Sequence, residues 1–129
     1  MPSLRTPIEL IHLYWERVWN EGQTQLIREI CADPIIRHEQ QGIVRLSHDE
    51  QIARVDRATA VNKPYFTHVI VYGDDLHVTS VWNMYMRHGE RRELSGIEVF
   101  KVEQGRMAET WISSFSKGFW PEVEKPGND

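Results

Sequence analysis

Apolar and polar positions alternate through two stretches in the second half of the chain, residues 93–102 and 106–115. Alternation with period two marks a half-buried strand. Glu103, Gln104 and Gly105 separate the stretches, and a short polar link containing glycine between such runs predicts a long antiparallel hairpin. In its first strand Leu94, Gly96, Glu98 and Phe100 share one face, while Ser95, Ile97, Val99 and Lys101 share the other. The return strand sets Met107, Glu109, Trp111, Ser113 and Phe115 against Ala108, Thr110, Ile112 and Ser114. Both faces carry apolar groups, so the sheet needs cover on one side and a partner on the other.

Earlier in the chain the period changes to that of a helix. Thr6-Pro7-Ile8-Glu9 forms a capping box with proline at the first helical position. Ile8, Ile11, Trp15, Val18 and Trp19 then follow one stripe, with Tyr14 close beside it and Asn20-Glu21-Gly22 as a stop. A second short helix is predicted over 25–31, closed by Asp33 because the residue before Pro34 is disfavoured in helical geometry. A short strand over 35–39 and a turn at Gln40-Gln41-Gly42 follow. Ser47-His48-Asp49-Glu50 is another capping box, opening a helix whose Ile52, Val55 and Thr59 share a face, with Arg54 and Arg57 on other faces. Residues 65–72 and 76–87 are rich in aromatic and β-branched residues around the turn Gly73-Asp74-Asp75, which predicts a further hairpin. The order helix, helix, strand, helix, four strands is an α+β arrangement with helices against one face of a curved sheet. Residues 1–129 read as one domain, with 117–129 a C-terminal tail expected to fray.

The net charge of −4 and the scattered arginines offer no footprint for nucleic acid. No apolar run approaches the ~20 residues of a membrane span, and neither a secretory leader nor an internal disulfide is expected, with Cys31 the single cysteine. A cytoplasmic protein is the resulting expectation. Five tryptophans in 129 residues point to an aromatic-lined core or pocket. No two histidines stand at metal-site spacing and no glycine-rich phosphate loop occurs, so neither a metal nor a cofactor is expected.

The strand Gly96-Ile97-Glu98-Val99-Phe100-Lys101-Val102, the turn Glu103-Gln104-Gly105 and the return Arg106-Met107-Ala108-Glu109-Thr110-Trp111 resemble the signature of the nuclear transport factor 2-like superfamily. SnoaL-like polyketide cyclases and ketosteroid isomerases belong to it. The resemblance implies a cone-shaped fold, three N-terminal helices packed on a curved, mainly antiparallel sheet. It also implies a pocket between the first helix and the concave face, and a homodimer through the convex face. Apolar Ile97, Val99 and Ile112 support the latter if they lie on that convex face.

Glu98 sits in an apolar row, where burial raises a carboxyl pKa unless a nearby arginine compensates the charge. Its place resembles that of the acid in both enzyme groups. His38 and Glu39 close the first strand where those groups keep a base; adjacent in a strand, they face opposite ways, so at most one points fully into the pocket. Tyr14 lies near the place of the isomerases' oxyanion-binding tyrosine, although packing alone also accounts for a helical tyrosine. Trp15, Trp19, Trp82, Leu94, Phe100 and Trp111 are the expected walls of the substrate pocket. These residues together imply an isomerase or lyase performing isomerisation, cyclisation or dehydration on a small hydrophobic carbonyl compound. The alternative is a non-catalytic ligand-binding or dimerisation module of the same fold.

Overall fold

The computed structural model describes residues 4–89, 92–116 and 118–121. Helix α1 (Pro7–His12) starts at the Thr6-Glu9 capping box, with both reciprocal hydrogen bonds formed, and continues as a π-helix over Leu13–Asn20. The wider π turn rotates Tyr14 onto the face of Trp15, Val18 and Trp19, so all four are buried. The spacing of an ordinary α-helix sets Tyr14 only beside that stripe.

A single 3₁₀ turn (Thr24–Leu26) leads into α2 (Ile27–Ile30), which is shorter than the predicted 25–31. Cys31 belongs to strand β1 (Cys31–Glu39), where it pairs with Met107 and is fully buried. Its ladder partner and core burial outweigh continuation of the helix. Strand β2 (Gly42–Leu46) was not predicted; it hydrogen-bonds along the outer edge of β1. Helix α3 (His48–Asn62) opens at the Ser47-Glu50 capping box and closes at Lys63 in the left-handed conformation. The remaining strands β3 (Pro64–Gly73), β4 (His77–Met86), β5 (Leu94–Glu103) and β6 (Arg106–Phe115) form the two expected hairpins.

All six strands make one curved sheet in the order β2-β1-β6-β5-β4-β3. Every pair is antiparallel except β1 with β6. The first helix lies across the inner face, where Leu10, Ile11, Tyr14, Trp15 and Val18 pack with Phe66, Val78, Trp82 and Phe100 in one aromatic-rich core.

A bulge between Lys101 and Val102 shifts the register of β5 against β6. On one side of it Met107 faces the core, and on the other Thr110 and Ile112 do, opposite Phe100 and Glu98. Ile112 is therefore an inner-face residue, correcting its expected place in the convex apolar patch. At the C-terminal end, Asn83 both donates to the Trp120 carbonyl and accepts its N–H (2.9 and 2.8 Å), so residues 118–121 dock on the outer face; residues 117 and 122–129 of the expected tail lie outside the described residues. No helix among the described residues is long and apolar enough to cross a membrane.

Candidate functional site

Inner-face side chains from β1, β3, β4, β5 and β6 meet the first helix and α3 around a cavity of about 260 Å³. Its walls are aromatic and aliphatic, chiefly Trp15, Trp19, Phe66, Trp82, Met84 and Leu94. Gly96 lies beneath the Trp82 ring: a Cβ there would fall 2.4 Å from Trp82 Cζ2, so the absence of a side chain gives the indole its seat. Trp15 packs on Phe66 and Trp82, and Trp19 on Phe66, as the helical stripe predicted.

Glu98 enters this cavity from β5 and is 1% exposed. Its Oε2 accepts from Thr110 Oγ1 at 2.7 Å and from Arg37 Nη2 at 3.4 Å. Oε1 has no protein donor among the described residues. Burial pushes the Glu98 carboxyl above its ordinary value, against the opposing pull of Arg37 and the Thr110 hydrogen bond. Arg37 itself, 3% exposed, stays cationic: burial acts to lower its pKa, but the carboxyl groups of Glu98 and Glu39 more than reverse this. Its Nε donates to Glu39 Oε2 at 3.1 Å, and Arg54 Nη2 approaches the same oxygen at 3.5 Å. Tyr14 lines the cavity beside this group, and desolvation raises its pKa, so the phenol keeps its proton.

Of the residues singled out in the sequence, Glu98, Tyr14, Trp15, Trp19, Trp82 and Leu94 line the cavity. Phe100 does not; it is wholly buried in the core, edge-on to Tyr14. His38 faces the outer side, where it stacks on Trp111 with ring centroids 4.9 Å apart and bonds Glu109. The β6 register places Trp111 there too, 39% exposed, so neither it nor His38 reaches the cavity. Glu39 shares the inner face with Arg37 but lies outside the cavity wall, in an adjacent depression with Arg54, Ile112 and Ser114. The polar companions expected for Glu98, His38 or Glu39, are thus replaced by Arg37, Arg54 and Thr110. The sequence carried one signal for Arg37, its alternation with Ile35 and Glu39 in a strand.

A wider depression of about 1050 Å³ lies at the opposite end, around Leu4, Asp33 and the Gly105 turn, but is lined by no buried carboxyl. Away from both, His12, Glu16 and His68 bring ligand atoms within 4.8 Å of one another. This is the one such grouping of potential metal ligands among the described residues. It joins an i, i+4 His-Glu pair to a histidine from β3, a combination that a search for paired histidines overlooks.

No family model and no curated protein matches the chain by sequence. Solved structures match it closely in shape. A SnoaL-like polyketide cyclase from Agrobacterium tumefaciens superposes with a TM-score of 0.71 at 10% identity, covering 87% of this chain and 93% of the other. A protein provisionally described as a ketosteroid isomerase from Kribbella flavida gives 0.67 at 15% identity, covering 93% and 81%. A nuclear transport factor 2-like protein of unknown function from Cytophaga hutchinsonii gives 0.66 at 12% identity, covering 89% and 95%. With the helices, the curved sheet and the cavity between them, these superpositions establish that the chain has the nuclear transport factor 2-like fold.

Proposed function

We propose that this protein is an acid/base enzyme acting on a small cyclic carbonyl compound, with Glu98 transferring the proton and Tyr14 binding the carbonyl oxygen. The observation that carries this reading is the state of Glu98. Among the described residues it is the single carboxyl lining the cavity, its pKa is raised by burial, and both donors are on Oε2, leaving Oε1 for a substrate proton.

Glu98 Oε1 takes a proton from the carbon next to the carbonyl. The C–H electron pair becomes the enolate double bond, and the charge that develops on oxygen is met by the Tyr14 hydroxyl. Glu98 then returns the proton to a different carbon, which isomerises the substrate, or to a departing hydroxyl, which dehydrates it. Arg37 and Thr110 position the carboxyl group through its other oxygen. His38 takes no part, and Glu39 acts through Arg37 and Arg54 rather than on substrate. The similar folds described as cyclase and isomerase support this class of chemistry.

Hydrogen exchange tests the proposal with simple ketones in place of the natural substrate. One- and two-ring ketones incubated with the protein in deuterated water should gain deuterium next to the carbonyl, followed by NMR, and Glu98→Gln should abolish the gain. Exchange by neither protein with any such ketone, while ketones still bind, would leave a ligand-binding module.

A further inference from the structure

His68 on β3 carries a buried ring nitrogen that no protein group satisfies among the described residues. Its Nδ1 lies 3.1 Å from Ser80 Oγ on β4, a side chain fully closed to solvent, whereas its Nε2 has no hydrogen-bond partner. Buried polar atoms are nearly always paired, so an orphan of this kind calls for a partner. With Nδ1 held by the Ser80 hydroxyl, Nε2 is the nitrogen left to bind something else.

His12 and Glu16, one turn apart on the first helix, supply the surroundings. Ligand atoms of these two residues and of His68 lie within 4.8 Å of one another, and His12 Nδ1 meets Glu16 Oε2 at 2.7 Å. An ordinary i, i+4 pair accounts for that last contact, but not for a histidine that joins it from a strand.

The ring geometry fits a shared ion. Zinc binds imidazole nitrogen at about 2.0–2.1 Å in tetrahedral sites, which sets the centroids of two ligating rings about 5 Å apart. The His12 and His68 centroids are 5.6 Å apart, with the rings nearly perpendicular at 81°. Gathering the three ligand atoms onto one ion then takes side-chain shifts of about 1 Å. A metal-bound histidine almost always bonds a neighbouring group through its other nitrogen, which fixes its tautomer, and Ser80 does this for His68. The His12 and Glu16 side chains are 45% and 53% exposed, so an ion enters as these two rotate and needs no water-wide channel to His68. The cations of the same surface depression, Arg5 and Arg17, pair with Glu29 and Glu21.

We infer that His12, Glu16 and His68 form a binding site for a divalent transition-metal ion, with zinc the ion that the donor set fits best. Two imidazoles and one carboxylate leave a fourth position for a water molecule on the exposed side. Binding moves the proton shared by His12 Nδ1 and Glu16 Oε2 to His12 Nε2, so both rings bind as neutral ligands. The ion ties the first helix to the edge strand β3, whose neighbouring side chains Trp15 and Phe66 wall the cavity. None of the three ligands lines that cavity, so the inference is independent of the acid/base reading.

Zinc alone is the probe, titrated into chelator-treated protein by calorimetry. One ion per chain should bind with a Kd below about 10 µM and raise the melting temperature. His12→Ala and Glu16→Ala, both at exposed side chains, should each weaken binding at least about tenfold. His38→Ala and His77→Ala, which break other histidine–carboxylate pairs, should leave it unchanged. Zinc should also shift the ring nitrogen-15 NMR signals of both His12 and His68 in the parent protein, a readout that needs no variant. Cobalt(II) in its place should give the intense visible absorption of a four-coordinate ion. Weak uptake of several ions that ignores His12→Ala and Glu16→Ala, or a zinc shift at His12 with His68 static, would overturn the inference.

Discussion

Arg37 on β1 reaches past β6 to Glu98 on β5, its Nη2 lying 3.4 Å from Oε2 with both side chains almost closed to solvent. The intervening strand contributes Thr110, whose hydroxyl donates to the same carboxyl oxygen. A hairpin and a strand distant from it in sequence thus converge on one atom. A buried carboxylate held only by a long ion pair and one hydroxyl is incompletely compensated, which is why desolvation prevails and the Glu98 pKa rises. Arg37 is better served, since Glu39 also accepts from it.

That asymmetry gives Glu98 a defined effect on stability against pH. The unfolded chain releases this proton near the ordinary value of 4.5, whereas the folded protein holds it to a higher pH. The contribution of Glu98 is therefore fully present below about 4.5 and is lost as pH rises through the folded value. Glu98→Gln removes the titration and leaves Arg37 bonded to Glu39, so the variant should stay within about 1 kcal/mol of the parent at acid pH. Its melting temperature relative to the parent should then climb as pH is raised from 4.5 to 8. Parallel melting curves across that window would show that Glu98 ionises like a surface carboxyl.

Local pattern made much of this fold legible in the sequence. Both capping boxes, both hairpins and the inward face of Glu98 follow from spacing and turn chemistry confined to neighbouring residues. What escaped depends on partners far along the chain. Two of the three apolar side chains of β2, Ile43 and Val44, are exposed along a sheet edge, so no buried row announced the strand. Arg37 acquires its importance only when β1 lies parallel to β6, a pairing that no turn signal marks. Trp111 and Ile112 were assigned to the wrong faces for one shared reason. The bulge near Lys101 and Val102 breaks strict alternation in the β5–β6 ladder, so one residue of slip exchanges inside for outside.

Gly96 should tolerate no side chain. A Cβ built there lies 2.4 Å from Trp82 Cζ2 and 2.8 Å from Cε2 and Cη2, so Gly96→Ala must push the indole into the cavity. Overpacking of this kind costs roughly 1–3 kcal/mol. The variant should melt lower and lose affinity for any cavity ligand. Unchanged melting and unchanged ligand affinity would mean that the ring slides aside freely.

The outer face should mediate dimerisation. Ile97, Trp111 and Phe115 expose large apolar groups on the same side of adjacent strands β5 and β6, and the docked 118–121 segment bonds to Asn83 on β4. Light scattering should give a mass twice that of one chain, and Trp111→Glu should shift it toward a monomer with the fold retained. A mass of one chain at every concentration removes the interface.

Tyr14 distinguishes packing from chemistry within a single atom. Its ring contacts Trp15, Trp19 and Phe100 edge-on, so the apolar body is part of the core whatever the hydroxyl does. The hydroxyl has no hydrogen-bond partner in the protein among the described residues, so Tyr14→Phe leaves no buried group orphaned. Thermal stability should therefore change by less than about 1 kcal/mol. If the hydroxyl binds the developing enolate oxygen, the same change should slow deuterium exchange on a responsive ketone by about 10²-fold. The pH profile of the residual exchange should keep the position set by Glu98, since the proton-transferring group is untouched. A variant with parental exchange rates would confine Tyr14 to packing.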